Sequence, residues 1–110
     1  RMKELMNKIN QFRDDRDWRK FHNEKDLAIS ISLEASELLE LFQWKNSEEV
    51  VESSLEEIKE ELADVFIYSF MMADNLNLDV EEIIKSKLDL NEQKYPVEKS
   101  RGSNKKYNEL

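Results

Sequence analysis

The sequence predicts an all-α fold, a four-helix bundle in outline, on three observations. The 110 residues hold one glycine, Gly102, and one proline, Pro96, both near the C-terminus, so residues 1–95 lack the turn chemistry that β-hairpins demand. Apolar residues recur at three- and four-residue steps over long windows, the period of a helix face. The length fits one domain, 1–110, with residues 96–110 as a basic tail.

The elements follow in order. Leu5, Met6, Ile9, Phe12 and Arg16 share one face of a first helix over residues 3–18, running toward Trp18. Asp26 is the expected N-cap of a second helix, Leu27 to Trp44. Its residues Leu27, Ala28, Ile31, Ala35, Leu38, Leu39 and Phe42 fill one arc, while Ile29, Leu33 and Leu41 cover other sides. A helix apolar on several sides is buried on several sides. Asn46-Ser47-Glu48-Glu49 makes a turn and a cap, and Ser54 with Glu57 suggests a capping box opening the third helix, which runs to about Asn75. The fourth starts after Asp79 and ends before Pro96. Two of these helices carry more apolar surface than a thin bundle hides, so the excess is expected to be buried between copies, in an obligate dimer or a dimer of dimers.

Composition excludes several function classes. With no cysteine and one histidine, His22, any metal must be held by oxygen. The longest apolar run, Val65 to Ala73, is broken by Ser69 and falls well short of the roughly 20 residues that cross a bilayer. The N-terminus lacks a secretory-type apolar core, Arg1 ahead of Met2 reads as an added residue, and the expected location is cytoplasmic. A net charge of −8 argues against duplex nucleic acid as a partner. Between Lys94 and Lys106 the sign reverses: Lys94, Lys99, Arg101, Lys105 and Lys106 stand against Glu98 alone, +4 against −12 for the remainder. That tail is either a solvated segment or a flap that meets phosphate.

Carboxylates sit where a helix face should be apolar. At about 100° per residue, Glu34 projects roughly 20° from Leu27 and 40° from Leu38, inside the apolar arc. Glu37 lies at the border of that arc, beside Leu41. On the third helix Glu57, Glu61, Asp64 and Tyr68 line one stripe. Each helix thus offers an i,i+3 pair, Glu34/Glu37 and Glu61/Asp64, with side chains about 5–6 Å apart, where like charges repel. Such pairs also arise by chance in acidic helices, as Glu37/Glu40 and Glu57/Glu60 do. Here, however, no His, Lys or Arg on either helix is positioned to neutralise them, and Lys59 lies off the Glu61/Asp64 face. A hard divalent cation removes the cost of burying them; Mg²⁺ suits all-oxygen ligation, and Mn²⁺ fits too. A di-iron bundle would need Glu-x-x-His motifs that the chain lacks.

Glu34-Ala-Ser-Glu37, 23 intervening residues and Glu61-Leu-Ala-Asp64 resemble the E-x-x-E…E-x-x-D signature of the all-α MazG-like nucleoside triphosphate pyrophosphohydrolases. Arg16-Asp17-Trp18 with Phe21-His22, the run from Glu37 to Trp44, and Lys94-Tyr95-Pro96 with Lys106-Tyr107 resemble the dCTP pyrophosphatase branch. The resemblance implies hydrolysis of a deoxynucleoside triphosphate, dCTP or a modified pyrimidine nucleotide, to monophosphate and pyrophosphate. It implies Mg²⁺ held by Glu34, Glu37, Glu61 and Asp64, and a MazG-type fold assembled as a homodimer or homotetramer with sites near the interface. Nucleoside contacts then fall on Trp18, Arg19, Lys20, Phe21 and His22, on Trp44 and on Tyr68. Some relatives carry a histidine where Ile9 stands here.

Phosphoanhydride hydrolysis asks a protein mainly for positioning and charge neutralisation. A motif Glu, or the adjacent Glu40 or Glu60, would accept the proton of the attacking water. Lys94, Arg101 and Lys105 or Lys106 are the candidate phosphate contacts. Indoles stack on bases at roughly 1–3 kcal/mol, and Tyr68 beneath the sugar would exclude a 2′-OH. Two other readings stay open: the same fold acting on dUTP or a phosphoribosyl nucleotide, and a non-catalytic helical dimerisation module.

Overall fold

Capping side chains set where the helices begin. In the computed structural model, which describes residues 1–110, Asn23 accepts a 2.9 Å hydrogen bond from the Asp26 amide and opens a helix at Glu24. The sequence reading placed the cap at Asp26. Asp26 is instead the third helical residue, and its carboxylate accepts a bond from the Asn23 side-chain amide. The elements are α1 (Met2–Asp15), a 3₁₀ turn (Arg19–Phe21), α2 (Glu24–Glu40), α3 (Ser47–Ser53), α4 (Leu55–Asn75), α5 (Val80–Lys94), α6 (Val97–Ser100) and a second 3₁₀ turn (Tyr107–Glu109). There are no strands, and no helix is long and apolar enough to cross a membrane.

Four long helices were expected and four are found, with α3 and α6 as short additions. A reciprocal capping box opens α3: Asn46 Oδ1 accepts from the Glu49 amide at 2.9 Å, and Glu49 Oε1 accepts from the Asn46 amide at 3.4 Å. Ser54 ends α3 and precedes α4, but its hydroxyl makes no cap bond, so the box expected with Glu57 is absent. The second helix stops at Glu40 rather than Trp44. Leu41–Lys45 turn through 3₁₀-type bonds, and Trp44 takes a left-handed φ of 66°. Asp79 caps α5 through a 3.0 Å bond from the Glu82 amide.

The chain divides into two compact units, Arg1–Asn77 and Leu78–Leu110. In the first, α4 is the central element: α2 packs along it, and α1 and α3 contact it as well. Ile9 of α1, Leu27 of α2 and Met71 of α4 form the core, joined by Ile67, Tyr68, Phe70 and Met72. Leu27 is fully buried, a burial that contributes about 1.5–3 kcal/mol. Many large apolar residues stay outside this small core, among them Ile29, Leu33 and Leu39 on α2 and Leu55, Leu62 and Phe66 on α4; Leu39 is 70% exposed. In the second unit Tyr95 and Tyr107 pack edge to face at 6.3 Å, and Lys94 lies 4.9 Å over the Tyr107 ring.

Candidate active site

The packing of α2 along α4 brings their acidic positions together. One carboxylate oxygen each from Glu34, Glu61 and Asp64 lies within 4.8 Å of the others. Glu37, one turn along α2, stands outside this trio but close enough to act on Glu34 and Glu61. No ion pair reaches any of the four; Lys59 is engaged with Glu56 at 3.1 Å, off the cluster as its helix position predicts. Glu34 Oε2 and Glu61 Oε2 are buried without a hydrogen-bond partner. Burial, then Glu37, Asp64 and Glu61, push the Glu34 carboxyl up to about 7. Glu61 is raised too, first by Glu37, then by burial and Asp64. Orphaned buried carboxylate oxygens on converging acids fit a hard, oxygen-ligated divalent cation.

Beside the cluster a cavity of about 360 Å³ opens, lined from α1 by Lys8, Ile9 and Phe12, from the connecting segment by Trp18 and His22, and from α4 by Asp64, Ile67, Tyr68 and Met71. Asp64 therefore belongs to both the acidic trio and the cavity wall. The aromatic rings form an edge-to-face series: Phe12 to Trp18 at 5.6 Å, Trp18 to His22 at 6.4 Å and His22 to Tyr68 at 6.4 Å. Burial, then the charges of Arg13 and Arg19, lower the His22 pKa and favour a neutral imidazole, whose buried Nδ1 has no protein partner. Tyr68 is raised by burial and by Glu34, Asp64 and Glu37, so its phenol stays protonated.

Other residues of the first unit expected at the site do not line this cavity. Phe21 is exposed, under Lys20, and does not line the cavity. Lys20 pairs with Asp17 at 3.0 Å, and Arg19 is committed to Asp14 and Asp74. Trp44 is 94% exposed and lines no part of this cavity. Lys94 and Arg101 belong to the second unit, where Lys94 lines a separate cavity with Pro96, Lys99 and Tyr107.

Lys8 and Met71 were not anticipated as wall residues. The larger omission is Arg13, fully buried on α1 one turn beyond Ile9 and bonded to Asp74 and Asn75. A cation inside the apolar stripe of the first helix, with an acid in the last turn of the third, was the signal that could have found it.

The fold is shared with a solved structure. A pyrophosphatase of Archaeoglobus fulgidus superposes with a TM-score of 0.83 at 45% identity, covering 86% of this chain and 92% of that one. The chain belongs to the MazG-like family, whose model matches residues 29–110. It is also 39% identical over 105 residues to dCTP pyrophosphatase 1 of Rattus norvegicus and 36% identical to that of Homo sapiens, each match covering 91% of this chain. The chain spans 62% of the length of these curated relatives.

Proposed function

We propose that this protein is a divalent-cation-dependent nucleoside triphosphate pyrophosphohydrolase that converts dCTP, or a modified pyrimidine deoxynucleotide, to the monophosphate and pyrophosphate. One observation carries the reading: Asp64 is shared between the acidic trio and the aromatic cavity, so a ligand seated in the cavity has its anionic end at the carboxylates. The names of the pyrophosphatase relatives agree with this chemistry.

Glu34, Glu37, Glu61 and Asp64 would hold Mg²⁺, or Mn²⁺ in its place. A cation bound there would offset phosphate charge and help activate water as the nucleophile. The base stacks against Trp18, with Phe12 behind it, and Tyr68 packs under the sugar. His22, neutral, offers a ring N–H or lone pair to the nucleotide. A water oxygen bonds to a phosphorus flanking the α,β-bridging oxygen, and the phosphoanhydride bond breaks. A cluster carboxylate takes the water's proton; Glu37, which stands outside the trio, would do so through the oxygen the cation leaves free. On charge alone, Lys94 and Arg101 are the proposed cations for the polyphosphate.

The exposed apolar residues of α2 and α4, Phe66 at 55% and Leu39 among them, support self-association. Trp44 is proposed as a nucleotide contact that needs an assembled partner to bury it. Light scattering should give a mass at least twice that of the 13.2 kDa chain. Pyrophosphate release from a panel of deoxynucleoside and ribonucleoside triphosphates, with and without Mg²⁺, tests the activity. Release from dCTP only with the cation is expected; no release from any triphosphate would refute the assignment and leave a helical association module.

A further inference from the structure

Resting on that reading of the cavity, we propose that Arg13, Asp74 and Asn75 are positioning residues, a clamp that fixes the aromatic wall at a set distance from the carboxylates and thereby governs nucleotide affinity. The clamp begins where α1 ends. Asp17 takes a left-handed φ of 53°, and the Trp18 amide donates back to the Arg13 carbonyl at 2.8 Å while the Asp17 amide reaches Asp14 at 3.1 Å. This double bond pattern is that of a helix terminated by a left-handed residue. Arg13 thus holds the Trp18 backbone with its own carbonyl. Its guanidinium, fully buried, reaches α4 in the opposite direction: Nη2 donates to Asp74 Oδ2 and to Asn75 Oδ1, each at 3.0 Å, and Nε donates to Asn10 at 3.2 Å.

Asn75 carries the connection onward. A guanidinium has no acceptor, so the Asn75 oxygen must face Arg13 and the amide nitrogen must face the other way. That nitrogen donates to the His22 carbonyl at 2.6 Å and to Glu24 at 3.4 Å. Arg19, next to Trp18, adds a 3.2 Å bond to Asp74. Trp18, Arg19 and His22 are therefore all tied to the Arg13, Asp74 and Asn75 group.

The geometry of α4 explains why this matters for binding. Glu61, Asp64, Tyr68, Met71 and Asn75 follow one another at steps of three and four and share one face. Asn75 stands about 10 Å along the axis from Tyr68, so a single rigid helix measures the offset between the anchored wall and the acids. Asp74 is otherwise badly placed, since an acid in the last turn opposes the helix dipole. Two guanidiniums compensate it there.

Asn75→Asp tests the clamp with almost no change of shape. It keeps an acceptor for Arg13 but sets an oxygen against the His22 carbonyl and the Glu24 carboxylate. For dCTP hydrolysis, KM should rise at least about tenfold with kcat within about threefold, the signature of lost binding rather than lost chemistry. Mn²⁺ affinity, titrated by electron paramagnetic resonance without nucleotide, should not move. In the free protein, NOEs between the rings of Tyr68 and His22, the sole histidine, should be lost. A folded variant with unchanged KM overturns the proposal, whatever happens to its melting temperature. If Asn75→Asp does not fold, Arg19→Gln, which removes the Arg19 bonds to Asp74 and Asp14 and leaves Arg13 and Asn75 in place, should raise KM about threefold, and no rise overturns the proposal. Should the wild type cleave no triphosphate, the proposed function fails while the NOE comparison still decides the clamp: loss supports it, retention overturns it.

Discussion

Helix α4 carries acid in two places, and the protein treats them in opposite ways. At its C-terminal turn Asp74 meets two guanidiniums, from Arg13 and Arg19. About three to four turns earlier, Glu61 and Asp64 face Glu34 and Glu37 with no ion pair to any of them, and Glu34 Oε2 and Glu61 Oε2 are buried and unpartnered. Compensated acid holds segments together, while uncompensated acid stores repulsion that an incoming cation relieves. Substitution should split the two sites most sharply. Asp64→Asn removes one of the mutually repelling charges at constant volume. Activity should fall by more than about 100-fold, beyond what a residue merely supporting a metal ligand costs, while the metal-free protein melts no lower than wild type. Arg13→Ala should instead cost about 3 kcal/mol or more of stability, since it leaves Asn75 and much of Asp74 unsatisfied. Urea denaturation beside steady-state kinetics measures both; a strongly destabilised Asp64→Asn would break the contrast.

Proton linkage gives the next largest effect, confined to the uncompensated site. The Glu34 carboxyl is pushed from 4.5 to about 7 in the folded chain, and Glu61 moves in the same direction. Between those pH values the unfolded chain has released a proton that the folded chain still holds. The contribution of Glu34 is thus fully present below about pH 4.5 and lost as pH rises through 7. Without divalent cation, the melting temperature should fall across that window. Because cation binding needs the deprotonated carboxylates, Mg²⁺ should raise it by several degrees at pH 8 and hardly at all at pH 5. Equal stabilisation at both pH values would remove the cluster as the cation site.

Trp18 probes the wall that the compensated end of α4 supports. Trp18→Ala should weaken nucleotide binding by roughly 1–3 kcal/mol, the worth of one base stacked on an aromatic ring. Cation affinity should stay as in wild type, because Trp18 lines the cavity and offers the cation no ligand. Calorimetric titration of nucleotide and of Mn²⁺ separately reads the two, and parallel loss of both would contradict the division of labour.

What the sequence disclosed follows from the range of the interaction concerned. Glu34 inside an apolar arc is local information, visible in one helix projection, and so is the Glu61, Asp64, Tyr68 stripe; the structure brings them together on α2 and α4. The cap at Asp79 is equally local. Helix α3 was harder: at seven residues it is too short to show a period, and only its Asn46 cap was visible. The second helix was read too far because Leu41 and Phe42 continue the apolar pattern past the point where the backbone turns. Arg13 inside the apolar stripe of the first helix is a local sign of burial, but its partners lie 61 and 62 residues away, and no helix projection names them. Nor does a helix projection tell where Trp44 goes, since the residue sits beyond the helix in a left-handed turn.

The smallest expected effect concerns Lys59, the one cation near the acids in sequence on α4. Its Nζ holds Glu56 at 3.1 Å in an exposed i,i+3 pair, turned away from Glu61 and Asp64. Exposed pairs of this kind contribute about 0–1 kcal/mol, lost partly to screening by salt. Lys59→Ala should therefore shift stability by less than about 0.5 kcal/mol and Mn²⁺ affinity by less than about twofold. If Lys59 were a hidden countercharge, its removal would lower metal-free stability by deepening the repulsion and tighten cation binding, both by much more. A tenfold gain in Mn²⁺ affinity in this variant would mean that the middle of α4 is partly compensated after all, and the difference between its two acidic sites would be one of degree.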